Sequence, residues 1–260
     1  MVAVRSNDRK VIFRAVRDMY TDVATNPAKE FHFPTGRAAC EFVGYPQAQL
    51  DSIPATAVES FAGVGYPFRS EVMFQGAHVL DIGSGSGTDV LISASLVGRD
   101  GHVHALDMTP AMLEKLKANI AVSAATNISL HEGNAESIPL LDESVDIVTS
   151  NGVLNLVPDK KKAFDEMFRV LKPRGRVQIA DIVVGLPISD ECRGNPKLWA
   201  ECIVGASLED DYVDLFRIAG FESVTKLRTF DYFSGSSSEA TKKIALSFGA
   251  GTIELTMTKP

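Results

Sequence analysis

Apolar and polar positions follow two different rhythms along this chain. From Arg5 to Ala24 the apolar residues Val11, Ile12, Ala15, Val16 and Met19 recur every three to four positions, which predicts one amphipathic helix. Beyond it, Pro27, Pro34, Pro46, Pro54 and Pro67 cut the chain into short pieces, yet ten aromatic side chains lie from Phe13 to Phe74. A stretch that apolar does not stay disordered, so residues 1–75 are expected to form an ordered N-terminal helical cap, a lid over a substrate. From residue 76 onward, short β-rich runs alternate with helical ones. Strands are predicted at 77–82, 102–107, 128–132, 145–150 and 176–183. Helices fall near 88–96, 110–121 and 160–171, the last opened by Pro158 and Asp159. Five βα units in that order imply a parallel sheet with crossover helices. Helices near 196–205 and 208–219, a strand at 223–232, a helix at 239–248 and a strand at 252–258 form the tail. They bring the expected fold to a doubly wound, seven-stranded α/β sheet over residues 76–260.

Composition narrows the function. A chain of 260 residues can bury one sizeable core, and 33 acidic against 26 basic residues give a net charge of -7, which opposes binding along a phosphate backbone. Nucleic acid is not an expected partner. Arg5, Asp8, Arg9, Lys10, Arg14 and Arg17 interrupt the first helix, so no signal sequence is expected there. No run of about 18 apolar residues predicts a membrane span. Three cysteines, Cys40, Cys192 and Cys202, fit a reducing compartment rather than a disulfide framework, and a cytoplasmic location is expected. The sequence carries no signal for oligomeric state. His102 and His104 share a strand face without a third ligand at metal spacing, so no metal site is expected.

The sharpest chemistry lies in Asp81-Ile82-Gly83-Ser84-Gly85-Ser86-Gly87, after the first strand and before a helix. Glycines there let backbone approach a ligand, and the helix start offers oriented N–H donors. A dinucleotide turn requires glycine at position 88, where Thr88 stands. Asp107 ends the second strand 20 residues after Gly87, in place to accept two ribose hydroxyls. Gly133-Asn134-Ala135-Glu136 follows the third strand. Ser150-Asn151-Gly152 ends the fourth, at the rim where open α/β sheets bind ligands.

With these residues together, the sequence resembles the Rossmann-like class I S-adenosylmethionine-dependent methyltransferases, in the arsenite methyltransferase branch. Asp107-Met108-Thr109, the run from Ser150 to Lys160, Arg169-Val170-Leu171-Lys172-Pro173 and the run from Leu198 to Ala206 follow that branch's segments. The resemblance implies S-adenosyl-L-methionine as cofactor, with S-adenosyl-L-homocysteine as product. It implies cofactor contacts from Asp81, Gly83, Ser84, Gly85, Gly87, Asp107, Met108, Asn134, Ala135, Glu136 and Asn151. Substrate contacts are expected from Tyr45, Val64, Tyr66, Asn155, Trp199 and Cys202, with Asn155 and Cys202 as catalytic candidates. The branch holds trivalent arsenic with three thiolates, since soft sulfur suits a thiophilic centre. Here Val64 and Gly152 stand at two of those positions and only Cys202 remains. The expected acceptor is accordingly a small organic molecule. Two alternatives stay open: metalloid methylation with Cys202 helped by Cys192 or Cys40, and a cofactor-binding protein that transfers no methyl group.

Overall fold

The computed structural model describes residues 6–189, 199 and 202–260, with side chains from Arg9 onward. Four helices precede the sheet: α1 (Ser6–Thr25), α2 (Gly36–Val43), α3 (Gln47–Asp51) and α4 (Ala55–Val58). The strands are β1 (His78–Ile82), β2 (His102–Asp107), β3 (Ile128–Glu132), β4 (Val145–Asn151), β5 (Leu171–Val184), β6 (Ser207–Leu208), β7 (Glu222–Phe230) and β8 (Gly251–Thr258). Between them run α5 (Thr88–Val97), α6 (Pro110–Ser123), α7 (Lys160–Val170), α8 (Glu209–Ile218) and α9 (Glu239–Phe248).

The strand order is β3-β2-β1-β4-β5-β8-β7, with the two-residue β6 added beside β5. Strands β1 to β5 pair in parallel, and β8 lies antiparallel to both β5 and β7. The chain leaves β1 in one direction toward β2 and returns to β4 on the other side. This reversal opens a crevice at the C-terminal ends of β1 and β4, where open α/β sheets take ligands. Val79, Leu80 and Ile82 are all buried, as a central parallel strand covered on both faces requires.

Two elements differ from the sequence pattern. Strand β5 starts at Leu171, which pairs with Val145 before the register shifts. Pro173 and Gly175 disguise that start as a turn, and Arg174 takes a left-handed φ of 64° there. The third of the five expected βα units has no helix, because residues 133–144 carry Gly133, Pro139 and scattered charges in place of a 3.6-residue repeat. The helix expected near 196–205 falls largely outside the described residues.

Packing fixes the rest. Asp159 caps α7 by accepting from Lys162 N at 3.1 Å, and α7 meets α8 through Phe164 stacked on Phe216, centroids 4.0 Å apart. Helix α1 lies across α6, burying Ile12 and Val16. No described helix is long and apolar enough to cross a membrane.

Candidate active site

The Gly83–Gly87 loop sits in the crevice between β1 and α5. Asp81 ends in it from β1, buried to 2% exposure. Asp107 closes β2 with its carboxylate under the loop: Oδ2 accepts Gly85 N and Oδ1 accepts Thr109 N, each at 2.8 Å. Asp89, in the first turn of α5, accepts from the Tyr45 hydroxyl and, at 3.1 Å, from Asn151 Nδ2. These three carboxylates line one cleft with about 930 Å³ of space between protein atoms, part of it open to solvent. Among its described lining residues there is no Lys, Arg or His. Burial raises the pKa of each carboxylate, and for Asp81 the neighbouring charges of Asp89 and Asp107 add to it. Asp89 is pushed up to about 6, held back by its bonds from Tyr45 and Asn151.

Ten of the eleven predicted cofactor residues line this cleft. Glu136 does not; its carboxylate turns to Arg9 and accepts Asp159 N at 2.9 Å. Asn151 lines the cleft, but its amide is committed elsewhere. Oδ1 accepts Val64 N at 2.8 Å and Gly65 N at 3.2 Å, while Nδ2 reaches Tyr45, Gly65 O and Asp89 within 3.1 Å. Two amide hydrogens already face three acceptors, so Asn151 acts as a tether between cap and sheet.

The glycines divide in the same way. A Cβ on Gly83 would stand 2.2 Å from Val153 Cγ2, and one on Gly87 2.3 Å from Leu116 Cδ1. Close packing within the protein therefore demands both. At Gly85 the nearest atoms are 4.0 Å from such a Cβ, so this glycine keeps the cleft itself open.

The predicted substrate residues lie behind the cleft wall rather than on it. Tyr66 donates to Gln49 Oε1 at 3.0 Å, Trp199 Nε1 to Leu156 O at 2.9 Å, and Asn155 Nδ2 to Cys202 O at 3.0 Å. Val64, Tyr45 and Cys202 are buried. The wall is instead built by Phe13, Val16 and Tyr20 of α1 with Phe61, Met112 and Leu156. Burial first, then the neighbouring Cys202 thiol, raises the pKa of Tyr20. Two of these features had a legible signal: Phe13, Val16 and Tyr20 share one helical face, and Asp89 opens the helix after the glycine loop. Cys40 is buried in α2, its thiol pushed up by burial; Cys192 falls outside the described residues. Among the described residues no group of three or more His, Cys, Asp or Glu is arranged to hold a metal ion.

A cleft of this kind, glycine loop, strand-end carboxylates and apolar roof on a 3-2-1-4-5 parallel core, defines a nucleoside-binding α/β protein. Comparison with known proteins places it further. Residues 74–220 match the family model described as a methyltransferase domain. An arsenite methyltransferase of Halobacterium salinarum is 40% identical over 73% of this chain and 48% of its own, and that of Rattus norvegicus is 29% identical over 81% and 56%. A solved arsenic(III) S-adenosylmethionine methyltransferase of Chlamydomonas reinhardtii superimposes with a TM-score of 0.69 at 30% identity, covering 86% of this chain and 74% of its own. The chain belongs to the S-adenosylmethionine-dependent methyltransferases, in the branch that contains the arsenite enzymes. It spans about half the length of the curated relatives it matches.

The residues present fit that family's cofactor. Ser84 Oγ is buried in the loop with no hydrogen-bond partner among the described residues, a Cβ at Gly85 would meet nothing nearer than 4.0 Å, and three carboxylates with no Lys, Arg or His among the described lining residues suit a positively charged ligand.

Proposed function

We propose that the protein transfers a methyl group from S-adenosyl-L-methionine to a small organic acceptor. The observation that carries this reading is the buried trio Asp81, Asp89 and Asp107 around an open glycine loop, a site complementary to a sulfonium nucleoside. The bound cofactor supplies a methyl group activated by positive sulfur. Asp107 accepts ribose hydroxyls, using lone pairs left beside its two backbone bonds. Asn134 and Ala135, which line the same cleft, would hold the base, and Phe13, Val16 and Tyr20 would exclude water. Methyl displacement is in line and gains most from alignment and a dry site, so no strong base is required.

The acceptor follows from positions 64 and 152. Val64 Cγ1 lies 3.1 Å from where a Cβ on Gly152 would stand, and Gly152 holds a left-handed φ of 73°. The valine fills the space between the two segments with apolar atoms. Cys202 is buried behind the cleft wall near Tyr20, and the other two thiol positions of the branch carry no sulfur. The acidic cleft also argues against nucleic acid and for a neutral or cationic acceptor. Calorimetry with S-adenosyl-L-methionine and S-adenosyl-L-homocysteine, joined to a methylation screen of small acceptors with arsenite and glutathione included, tests the reading. Binding of both nucleosides with turnover of an organic acceptor is expected. Arsenite turnover lost in Cys202→Ser would replace the organic acceptor by a metalloid, and tight binding with no turnover would leave a binding protein.

A further inference from the structure

We propose that Arg9 is a positioning residue of the cofactor cleft: its guanidinium ties the first turns of α1 to the turn beside the base and so governs nucleoside release. The proposal rests on reading the cleft as the S-adenosyl-L-methionine site.

Helix α1 roofs the cleft with Phe13, Val16 and Tyr20, and its two ends are held differently. At the C-terminal end Ser60 Oγ donates to Val23 O at 2.9 Å and Lys115 Nζ to Ala24 O at 3.2 Å, with Val23 fully buried. At the other end the polar tie, among the described residues, is Arg9. It pairs with Glu136 and reaches Asp159 Oδ2 at 3.2 Å. The Glu136 side chain is 5% exposed and follows directly on Asn134 and Ala135, both of which line the cleft. Asn134 Oδ1 accepts Glu136 N at 2.9 Å, and Glu136 Oε1 accepts Asp159 N at 2.9 Å. Roof helix, base-side turn and the start of α7 are thereby joined through one guanidinium.

Lifting the N-terminal end of α1 would strip a buried carboxylate of its cation, which is strongly unfavourable. The opposite end stays pinned to Ser60 and Lys115, so the helix opens as a hinge from the Arg9 end. A nucleoside beneath it leaves only when that pair parts.

Stopped-flow release of S-adenosyl-L-homocysteine from wild type, Arg9→Gln and Arg9→Lys tests this, with circular dichroism and melting as fold controls. Arg9→Gln is expected to release the nucleoside about tenfold faster, equivalent to ~1.4 kcal/mol, and to raise KM for S-adenosyl-L-methionine without lowering kcat. Arg9→Lys, which keeps charge but loses the planar fork, should fall between. Wild-type release should quicken with salt and Arg9→Gln should respond less. A lower melting temperature with an unchanged release rate would overturn the proposal, since Arg9 would then be merely structural. Failure of wild type to bind either nucleoside would bring down the functional reading itself.

Discussion

Gly83 and Gly85 stand two residues apart in one loop, yet substitution should affect them in opposite ways. An alanine at 83 drives its Cβ to 2.2 Å from Val153 Cγ2 at a φ of 76°, so overpacking and backbone strain act together. We expect Gly83→Ala to lose about 2–4 kcal/mol of stability. An alanine at 85 meets nothing nearer than 4.0 Å and bears only the left-handed backbone cost, about 1–2 kcal/mol. Its methyl enters the cleft, so Gly85→Ala should weaken S-adenosyl-L-methionine binding at least about tenfold (~1.4 kcal/mol) with a smaller fall in melting temperature. Calorimetry and thermal melting of the two variants separate these effects, and equal losses in both readouts would refute the division. The spacing Gly83, Gly85, Gly87 was readable as a ligand loop. Which glycine faces the ligand was not, because Val153 and Leu116 reach it from distant elements. For the same reason the sequence alone places Glu136 among the cofactor contacts: its partner Arg9 is 127 residues away.

At the scale of elements, Asn151 is where β4 holds the cap. Its carbonyl oxygen serves two backbone N–H groups of the 62–66 loop, and its amino group faces Asp89. Asn151→Ala would leave those donors and a buried carboxylate short of partners. At about 1–3 kcal/mol for each buried group left unsatisfied, a stability loss of roughly 2–4 kcal/mol is expected, together with weaker cofactor binding as the cap loosens. Asn151→Asp keeps the shape but sets a second carboxylate against Asp89, so its melting temperature should fall further behind wild type at pH 8 than at pH 5. A constant gap would show that the Asp89 contact carries little weight. The strands that build this site were visible in the sequence, since β1, β2 and β4 are continuous or alternating apolar runs. The short helices α2, α3 and α4 were not separable, because proline punctuation marks breaks without telling helix from loop. Strand β5 lost its first residues to the turn-like Pro173-Arg174-Gly175, whose pairing depends on Val145 in another element.

Over the whole molecule, buried acids and half-buried histidines pull stability in opposite directions with pH. Asp89 and Asp181 are both raised to about 6, chiefly by burial, above the unfolded value near 3.9. Their contribution is present below that unfolded value and is lost as pH rises through about 6. His104 is lowered to about 4 by burial and by the charges of His102, His131 and His78. Its contribution is present above the unfolded value near 6.5 and is lost as pH falls toward 4. His104→Gln should therefore flatten the acid side of the melting-temperature profile and leave the alkaline side unchanged. The same acids give ligand binding a pH signature that stability alone does not. As Asp89 ionises through about pH 6, the cleft gains negative charge, which favours a sulfonium more than the neutral thioether left after methyl transfer. Affinity for S-adenosyl-L-methionine should thus rise several-fold between about pH 5 and pH 7.5, and affinity for S-adenosyl-L-homocysteine by less. Calorimetric titrations of both at each pH, repeated in Asp89→Asn, measure the difference directly. Parallel curves for the two nucleosides in wild type would mean that the carboxylates set the fold of the cleft and do not select for the charged donor.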